Sequence, residues 1–448
     1  MLKPILWPVL APSLLFAVGL GAIMPILVLG ALTLGSTASF AAAIVGIMGA
    51  VSLAATVPAG ILIDRLGDFR AMLVATLAAV VVFTAVVAAF VWDSPYSLLI
   101  YTIALMLFAP VSDVWSLARQ AVVAEVMPAA DLAKAMTALG GTQRVGNLVG
   151  PMVGAGLMLF MPIWSVFVFS GITAVAAIVI MALPIARIPG FDDHPSPASA
   201  EDSGTGTGTE AAPGQPSTDP TDPGRHSAGE GPLGEHSSAE AARGERRKKR
   251  ERRPPLDVRW KSVVLVGITI ITLAAARAAQ PVVIQLWGVE IGLHESSISL
   301  IIAFGAGLEL IVMFLGAYIK DHLGRIATLV GCLSIFGTGF IIMVVLPDLC
   351  GMVIAAAVMA FGNGLGAGVN MTIGADLSPA VGRPRFLGIW AIFNNGGKLG
   401  GPSLLSLIIT LTTLRFGVLF PGLFALLGAV WVLVWARQIG LPGRRRRV

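Results

Sequence analysis

Twelve apolar runs of about 20 residues each follow one another along this chain of 448 residues. A helix of roughly 20 apolar residues spans the ~30 Å hydrocarbon core of a bilayer, and lipid offers its backbone no hydrogen-bond partner. Each run is therefore predicted to be a complete helix, and the chain an all-α membrane protein. The predicted helices 1 to 12 cover residues 8–33, 40–63, 71–91, 97–118, 135–160, 164–186, 261–286, 297–319, 326–346, 350–373, 386–410 and 416–437.

One stretch of the chain occurs twice. Residues 124–151 align without a gap with residues 375–402: an acid follows the first alanine, a proline stands at the fifth position, and Gly-Pro closes both. DRLG at 64–67 and DHLG at 321–324 pair in the same way, as do Pro25 and Pro281. Such an internal repeat predicts two pseudo-symmetric bundles of six transmembrane helices.

The segment between the two predicted bundles has a different composition. Residues 190–242 are rich in Gly, Pro, Ser, Thr and acids, and cannot bury enough apolar surface to fold. The basic run at 243–253 directly precedes a membrane helix, so we interpret it as an anchor on anionic lipid and not as a nucleic-acid site. The predicted parts are an N-terminal bundle (1–189), a disordered cytoplasmic linker with a basic end (190–255) and a C-terminal bundle (256–448).

The basic residues predict the orientation. One side of this topology carries Arg65, Arg70, Arg119, Lys134, Arg187, Lys320, Arg325, Arg383, Arg385 and Arg444 to Arg447, whereas the other side carries only Arg415. By the positive-inside tendency that side is cytoplasmic. We expect a multi-pass protein of the plasma membrane with both termini in the cytoplasm.

Polar residues are confined to certain helices. Helices 3, 6, 9 and 12 have no charge in their middles, whereas helices 4, 5, 7, 8 and 11 carry Asp113, Arg144, Arg277, Glu309 and Lys398. Neutral polar groups are added by Gln143, Gln280, Asn363, Asn370, Asn394 and Asn395. A charge facing lipid costs roughly 3 kcal/mol, so these residues are expected to surround a polar cavity.

Two of these charges are candidates for specific roles. Glu309 lies near the middle of helix 8, and we expect it to carry a proton; a permanent salt bridge to Arg277 and a direct substrate contact are the alternatives. Asp113 and Arg144 lie on consecutive helices at similar depth, which predicts an ion pair between them.

The loop after helix 2 carries a motif, GILIDRLGDFR at 60–70. Its glycines permit tight packing and a tight turn, and its aspartate can cap a helix or pair with arginine. With the twelve helices and the half-repeat, the motif resembles the loop between helices 2 and 3 of the major facilitator superfamily. Asp68 departs from that pattern, where a second base is usual. The resemblance implies a cytoplasmic gate that includes Gly60, Asp64, Arg65, Gly67, Arg70, Asp321, Gly324 and Arg325.

A second motif, GNLVGPMVGAG at 146–156, lies in helix 5. Gly146, Gly150 and Gly154 make a smooth helix face, and Pro151 permits a kink. The motif resembles the signature of the drug and proton antiporters of the same superfamily. Close helix packing alone is the other interpretation.

The resemblance implies a secondary transporter that works by alternating access, and our leading hypothesis is proton-coupled efflux of small amphipathic compounds. An uptake symporter or facilitator for a small organic anion is the alternative, since cavity bases outnumber cavity acids. A transporter-like sensor is a third hypothesis. The sequence has no P-loop and no cluster of histidines, so we expect neither an enzymatic activity nor a bound metal or other cofactor. Expected partners are a small-molecule substrate, protons and membrane lipid, with no nucleic acid, and the protein is expected to be a monomer.

The linker generates a first prediction. Deleting residues 192–242 while keeping the basic run 243–253 should leave membrane insertion and transport largely intact, because long flexible connections cost little closure entropy. Membrane level by immunoblot and transport rate are the measurements. Loss of transport at a normal membrane level would contradict the interpretation of this segment as a passive tether.

Overall fold

All twelve predicted membrane spans are helical in the structure. The computed structural model describes residues 3–92, 94–186, 258–379 and 383–440. The twelve helices, numbered as in the prediction, are α1 (Leu6–Thr33), α2 (Ala38–Leu66), α3 (Asp68–Val91), α4 (Ser97–Val126), α5 (Ala129–Met158), α6 (Trp164–Ala182), α7 (Trp260–Glu290), α8 (Glu295–Leu323), α9 (Arg325–Val345), α10 (Leu349–Leu377), α11 (Arg383–Leu411) and α12 (Leu414–Ile439). The predicted all-α, twelve-helix membrane fold is confirmed, whereas the linker 190–255 lies outside the described residues.

Ten of these helices are long and apolar enough to cross a membrane. The other two, α5 and α11, are the helices that carry the repeated glycine-containing stretch. Their lower hydrophobicity fits an interior position, because helices that face other helices need less apolar surface than helices that face lipid. Their place in the bundle is therefore set by close packing.

The repeated glycines bring α5 against α1 and α11 against α7. A side chain at Gly146 would collide with the backbone of Ala17, and one at Gly150 with that of Ala22. In the second half, side chains at Gly397 and Gly401 would collide with the backbone of α7. Gly146 and Gly150 align with Gly397 and Gly401 in the repeat, so both halves use the same small-residue contact. The packing interpretation of the helix 5 motif thus has a direct structural basis.

Among the described residues, the hydrogen bonds between the two halves lie at one end of the bundle. We call the end that holds the α2–α3 and α8–α9 turns the motif end, and the other the closed end. At the closed end the Ser39 and Ser406 hydroxyls each donate to the other residue's carbonyl, at 3.0 and 2.8 Å. The Ser299 hydroxyl of α8 donates to the Pro151 carbonyl of α5 at 3.0 Å. At the motif end Gly60 and Gly140 have open space around them, and no hydrogen bond or ion pair joins the two halves among the described residues there, from which we infer that the cavity opens towards this end.

Helix α1 is interrupted near Pro25 within the closed end, by a 3₁₀ turn at Met24–Ile26. Proline lacks an N–H, so the helical ladder loses a bond there. One turn further on, Gln285 of α7, only 1% exposed, bridges two groups that a continuous helix would join to each other: its Oε1 accepts from the Val28 N–H at 3.0 Å and its Nε2 donates to the Met24 carbonyl at 3.2 Å. A side chain of one half thus completes the backbone of the other.

Helix α10 is also interrupted, in contrast to the continuous helix predicted for 350–373. It consists of Leu349–Leu365 and Val369–Leu377, separated by a turn in which Gly368 has φ 74°. A positive φ is easily adopted by glycine, and the last four carbonyls of a helix lack an intrahelical partner. The interruption therefore frees backbone groups in the middle of the second half.

Replacing Gln285 by leucine should favour opening of the closed end. The substitution keeps the size of the side chain but leaves the Val28 N–H and Met24 carbonyl without their partner, and an unsatisfied buried group costs about 1–3 kcal/mol. Distances between spin labels at Thr37 and Thr412, in a Cys350→Ser background, should show the open population rise by about tenfold. Gln120→Leu is the control, because Gln120 is exposed and bonds only to Ser116 of its own helix. An unchanged distance distribution in Gln285→Leu would contradict this role.

Candidate substrate-binding site

A cavity of about 230 Å³ lies between the two halves, with walls from α1, α5, α7, α8 and α10. The C-terminal half contributes three polar side chains to the wall, those of Arg277, Gln280 and Glu309. The rest of the wall is mostly apolar. A largely apolar pocket with a few convergent polar groups is the usual form of a small-molecule site.

Glu309 and Arg277, which line the cavity, are joined through Asn363, a predicted cavity residue that does not itself line it. The Asn363 side-chain amide donates to Glu309 Oε2 at 2.7 Å, and the Asn363 backbone carbonyl accepts from Arg277 Nη2 at 3.1 Å. Within the described residues no ion pair links Glu309 directly to Arg277, so the expected alternative of a direct salt bridge is wrong for this conformation. The carboxylate and the guanidinium remain separate groups held in one network.

The interruption of α10 makes this network possible. Asn363 lies in the last turn of the first α10 segment, where carbonyls lack intrahelical partners, and Arg277 donates to its carbonyl. A side chain at Gly366 would collide with the Arg277 guanidinium, and one at Gly364 would press on α8 beside Glu309. The two glycines therefore allow α7 and α8 to approach this turn of α10.

The predicted Asp113–Arg144 ion pair is wrong. The Asp113 carboxylate accepts from the Ser52 hydroxyl of α2 at 2.5 Å, and Lys398 is the cation that acts on it electrostatically. Arg144 is exposed and has no ion-pair partner among the described residues. Two residues at similar depth on consecutive helices contact each other only if both lie on the facing sides, and the sequence does not show how each helix is rotated about its axis.

Other predicted cavity residues lie elsewhere. The Asn370 side chain and backbone accept from the indole N–H of Trp390, which ties the second α10 segment to α11. Arg144, Asn394, Asn395, Lys398, Asp113 and Gln143 do not line the cavity. Of the candidate charges only Arg277 and Glu309 line it in the described part of the chain, so this wall has one base and one acid instead of the expected excess of bases.

Arg119 is a polar residue whose position the sequence did not reveal. The predicted helix ended at residue 118 and placed Arg119 at the membrane edge, but α4 continues to Val126. Arg119 is 6% exposed, its guanidinium lies 4.2 Å over the Trp115 ring, and its Nη2 donates to Gln143 Oε1 at 3.2 Å. Two of its nitrogens, Nε and Nη1, are buried without a partner. The continuing apolar run after residue 119 was the available signal.

The proposed gate residues lie at the motif end, and the charged ones of the N-terminal half have no ion-pair partner among the described residues. Gly67 has φ 81°, as the tight turn expected there requires, and the aligned Gly324 has φ 87°. Asp64, Arg65 and Arg70 are exposed and have no ion-pair partner in the described part of the chain. Gly60 has open space around it, so the expected tight packing there is absent. The unpaired charges and the open space at Gly60 are what we expect where the two halves are separated.

The two halves differ in charge at these turns. In the C-terminal half Arg325 Nε donates to Asp376 Oδ2 at 3.0 Å. The aligned residues of the N-terminal half are Asp68 and Glu125, two acids, and Glu125 repels Asp68 electrostatically. The departure from the motif at Asp68 thus replaces an attractive pair by a repulsive one. The Asp321 side chain lies outside the described residues.

A twelve-helix bundle in two repeated halves, with a cavity between them that opens at one end, defines a membrane transporter of the alternating-access type. The chain matches the family profile of the Major Facilitator Superfamily over residues 10–276 and 265–447. It belongs to this superfamily, so it is an integral membrane protein and a secondary transporter. None of the curated proteins compared with it matches.

Solved structures of similar fold include several transporters of the POT family. One is a POT family transporter in complex with 5-aminolevulinic acid, at TM-score 0.71 and 10% identity, covering 96% of each chain. Another is a peptide transporter POT in complex with sulfate, at TM-score 0.71 and 13% identity, covering 98% of this chain and 95% of that one. A third is an auto-inhibited POT family peptide transporter, at TM-score 0.69 and 15% identity, covering 100% of this chain and 99% of that one. At these identities the similarity concerns the fold.

Asp64→Asn should shift the protein towards the conformation that is open at the motif end. Asp64 has no ion-pair partner among the described residues, so its charge can stabilise only the other conformation, by about 1–3 kcal/mol on the usual scale of coupling energies. A cysteine placed at Gly140 should then react with a polar maleimide several-fold faster. Asp131→Asn is the control, because Asp131 pairs with Lys134 of its own helix. Equal labelling rates in Asp64→Asn and the unmodified protein would exclude the gate role.

Proposed function

We propose that this protein is a proton-coupled symporter that takes up small organic solutes carrying an anionic group. The observation that supports the proposal is that Glu309 and Arg277 both line the cavity and both bond to Asn363, with no ion pair between them among the described residues. A guanidinium in a largely apolar wall attracts an anion, and a carboxyl group close by can exchange a proton.

Glu309 is the proposed proton carrier. It accepts a hydrogen bond from a neutral amide, which can donate to the carboxyl group in either protonation state, whereas a direct salt bridge would fix the charged form. The exposed end of the cavity gives protons a route to the group. Loading and release on opposite sides of the membrane would couple the solute to the proton gradient.

The proposed substrate class rests on the cavity and on the compounds found in related folds. A volume of about 230 Å³ accommodates a small solute. The similar structures were solved with 5-aminolevulinic acid, with a thioalcohol-conjugated peptide and with sulfate, which all carry groups able to accept from arginine. We infer the same general class here: small, polar and at least partly anionic.

Efflux of amphipathic compounds is the second candidate function. Ile284, Ile301 and Ile302 give much of the cavity an apolar surface, and the α5 motif resembles that of drug and proton antiporters. Uptake and efflux predict opposite responses to one proton gradient. A single vesicle experiment therefore separates them.

Reconstituted protein should accumulate radiolabelled 5-aminolevulinic acid or dialanine when the outside is acidic, if the protein is a symporter. Glu309→Gln should bind and exchange the solute but lose accumulation by at least tenfold, because the proton site is gone. Glu290→Gln, which removes an exposed acid at the end of α7, is the control and should retain accumulation.

The outcome can also contradict the proposal. If the vesicles accumulate an amphipathic cation when the outside is alkaline, and neither pH gradient drives accumulation of the anionic solutes, the protein is an antiporter instead. Normal accumulation in Glu309→Gln would remove Glu309 from the coupling step.

A further inference from the structure

Asn147 is the polar side chain that the N-terminal half contributes to the cavity wall. The other lining residues from this half are Gly21, Met24 and Pro151, which offer no polar side-chain atom. An asparagine side chain can present either a donor, its NH₂, or an acceptor, its carbonyl oxygen. The orientation of this one amide therefore decides what the N-terminal wall can recognise.

Two neighbouring hydrogen bonds fix that orientation. Arg119 Nη2 donates to Gln143 Oε1 at 3.2 Å, and Gln143 Nε2 donates to Asn147 Oδ1 at 3.2 Å. A guanidinium can only donate, so Gln143 must turn its oxygen to Arg119 and its NH₂ to Asn147. Asn147 Oδ1 thereby already accepts one hydrogen bond, whereas Asn147 Nδ2 has no partner among the described residues and is the donor that remains available to the cavity.

The surroundings keep this relay in one direction. Arg119 is 6% exposed and lies over the Trp115 ring, so it stays at its position. Turning the Gln143 amide over would place its NH₂ against the buried guanidinium, which leaves two donors facing each other. The close contact between Gly21 of α1 and the backbone of α5 at Gly146 and Asn147 holds the backbone of Asn147 beside the cavity.

We propose that Arg119, acting through Gln143, sets Asn147 as a hydrogen-bond donor, so that the cavity selects solutes that turn a carbonyl or carboxylate towards the N-terminal half. Arg119 and Gln143 are positioning residues, and Asn147 is the contact with the solute. The inference deepens the proposed function and rests on this cavity being its substrate site. It adds to Arg277 a second, uncharged recognition point on the opposite wall.

Gln143→Glu is the sharpest test, because it should reverse the relay. The introduced carboxylate accepts from Arg119 with one oxygen and has only an acceptor left for Asn147, which must then turn its NH₂ to that carboxylate and its oxygen to the cavity. Affinities for dialanine and for its C-terminal amide, measured by calorimetry on the full chain in nanodiscs, report the change. The preference for the carboxylate should fall at least tenfold relative to the unmodified protein.

Two further variants and one control separate positioning from a merely structural role. Asn147→Asp removes the donor and should lower the same preference, whereas Arg119→Lys keeps a donor-only group and should retain it in part. Gln120→Glu makes the same chemical change one residue from Arg119, at an exposed glutamine that bonds only to Ser116. It should leave the preference unchanged.

A measurement without substrate keeps this inference distinct from the proposed function. Nitrogen-15 NMR of the Asn147 side-chain amide should show rapid proton exchange with water in the unmodified protein, because Nδ2 faces the cavity, and at least tenfold slower exchange in Gln143→Glu. If this holds while neither dialanine compound binds, the relay stands and the proposed substrate class is wrong. If the exchange rate and the carboxylate preference are both unchanged in Gln143→Glu, the relay is overturned whatever the protein transports.

Discussion

Lipid offers no hydrogen-bond partner, so every backbone polar group inside the membrane must find one within the protein. The interrupted helices α1 and α10 of this transporter meet that constraint in the same way. The interruption of α1 is completed by the amide of Gln285, and the carbonyl of Asn363 beside the interruption of α10 accepts from Arg277. Both side chains belong to α7, eight residues apart. One continuous helix thus satisfies an irregular segment in each half.

This arrangement connects the substrate cavity with the contact between the halves. Asn363 binds Glu309 through its side chain and Arg277 through its backbone, so a change of charge at Glu309 acts on the turn of α10 that α7 holds. The same helix carries Gln285 to the closed end. Any movement of α7 that breaks the Gln285 contacts requires α1 to satisfy its own backbone, which is a natural basis for two discrete conformations rather than a continuous range.

The sequence predicted the fold because hydropathy and the repeat are properties of the chain alone. It located the turn at Gly67 and the small-residue face of α5, since turns and close packing depend on local residue types, and the repeat extended both to the second half. It did not predict which charges meet, because the Asp113–Arg144 pair depended on the rotation of α4 against α5. Asn147 was missed because it lies in a motif whose glycines alone were interpreted. Arg119 was missed because the predicted helix 4 ended at residue 118, whereas α4 continues to Val126. Which partner a polar side chain finds is a property of the packed bundle.

Backbone amide exchange in α1 tests most directly whether Gln285 completes the interrupted helix. Hydrogen–deuterium exchange of the segment after Pro25, in nanodiscs, should be slow in the unmodified protein because the Val28 N–H donates to Gln285 in a buried position. It should become at least tenfold faster in Gln285→Leu, with exchange in the distant α9 unchanged. Equally slow exchange of this segment in both proteins would show that α1 satisfies its own backbone and would contradict the role of Gln285.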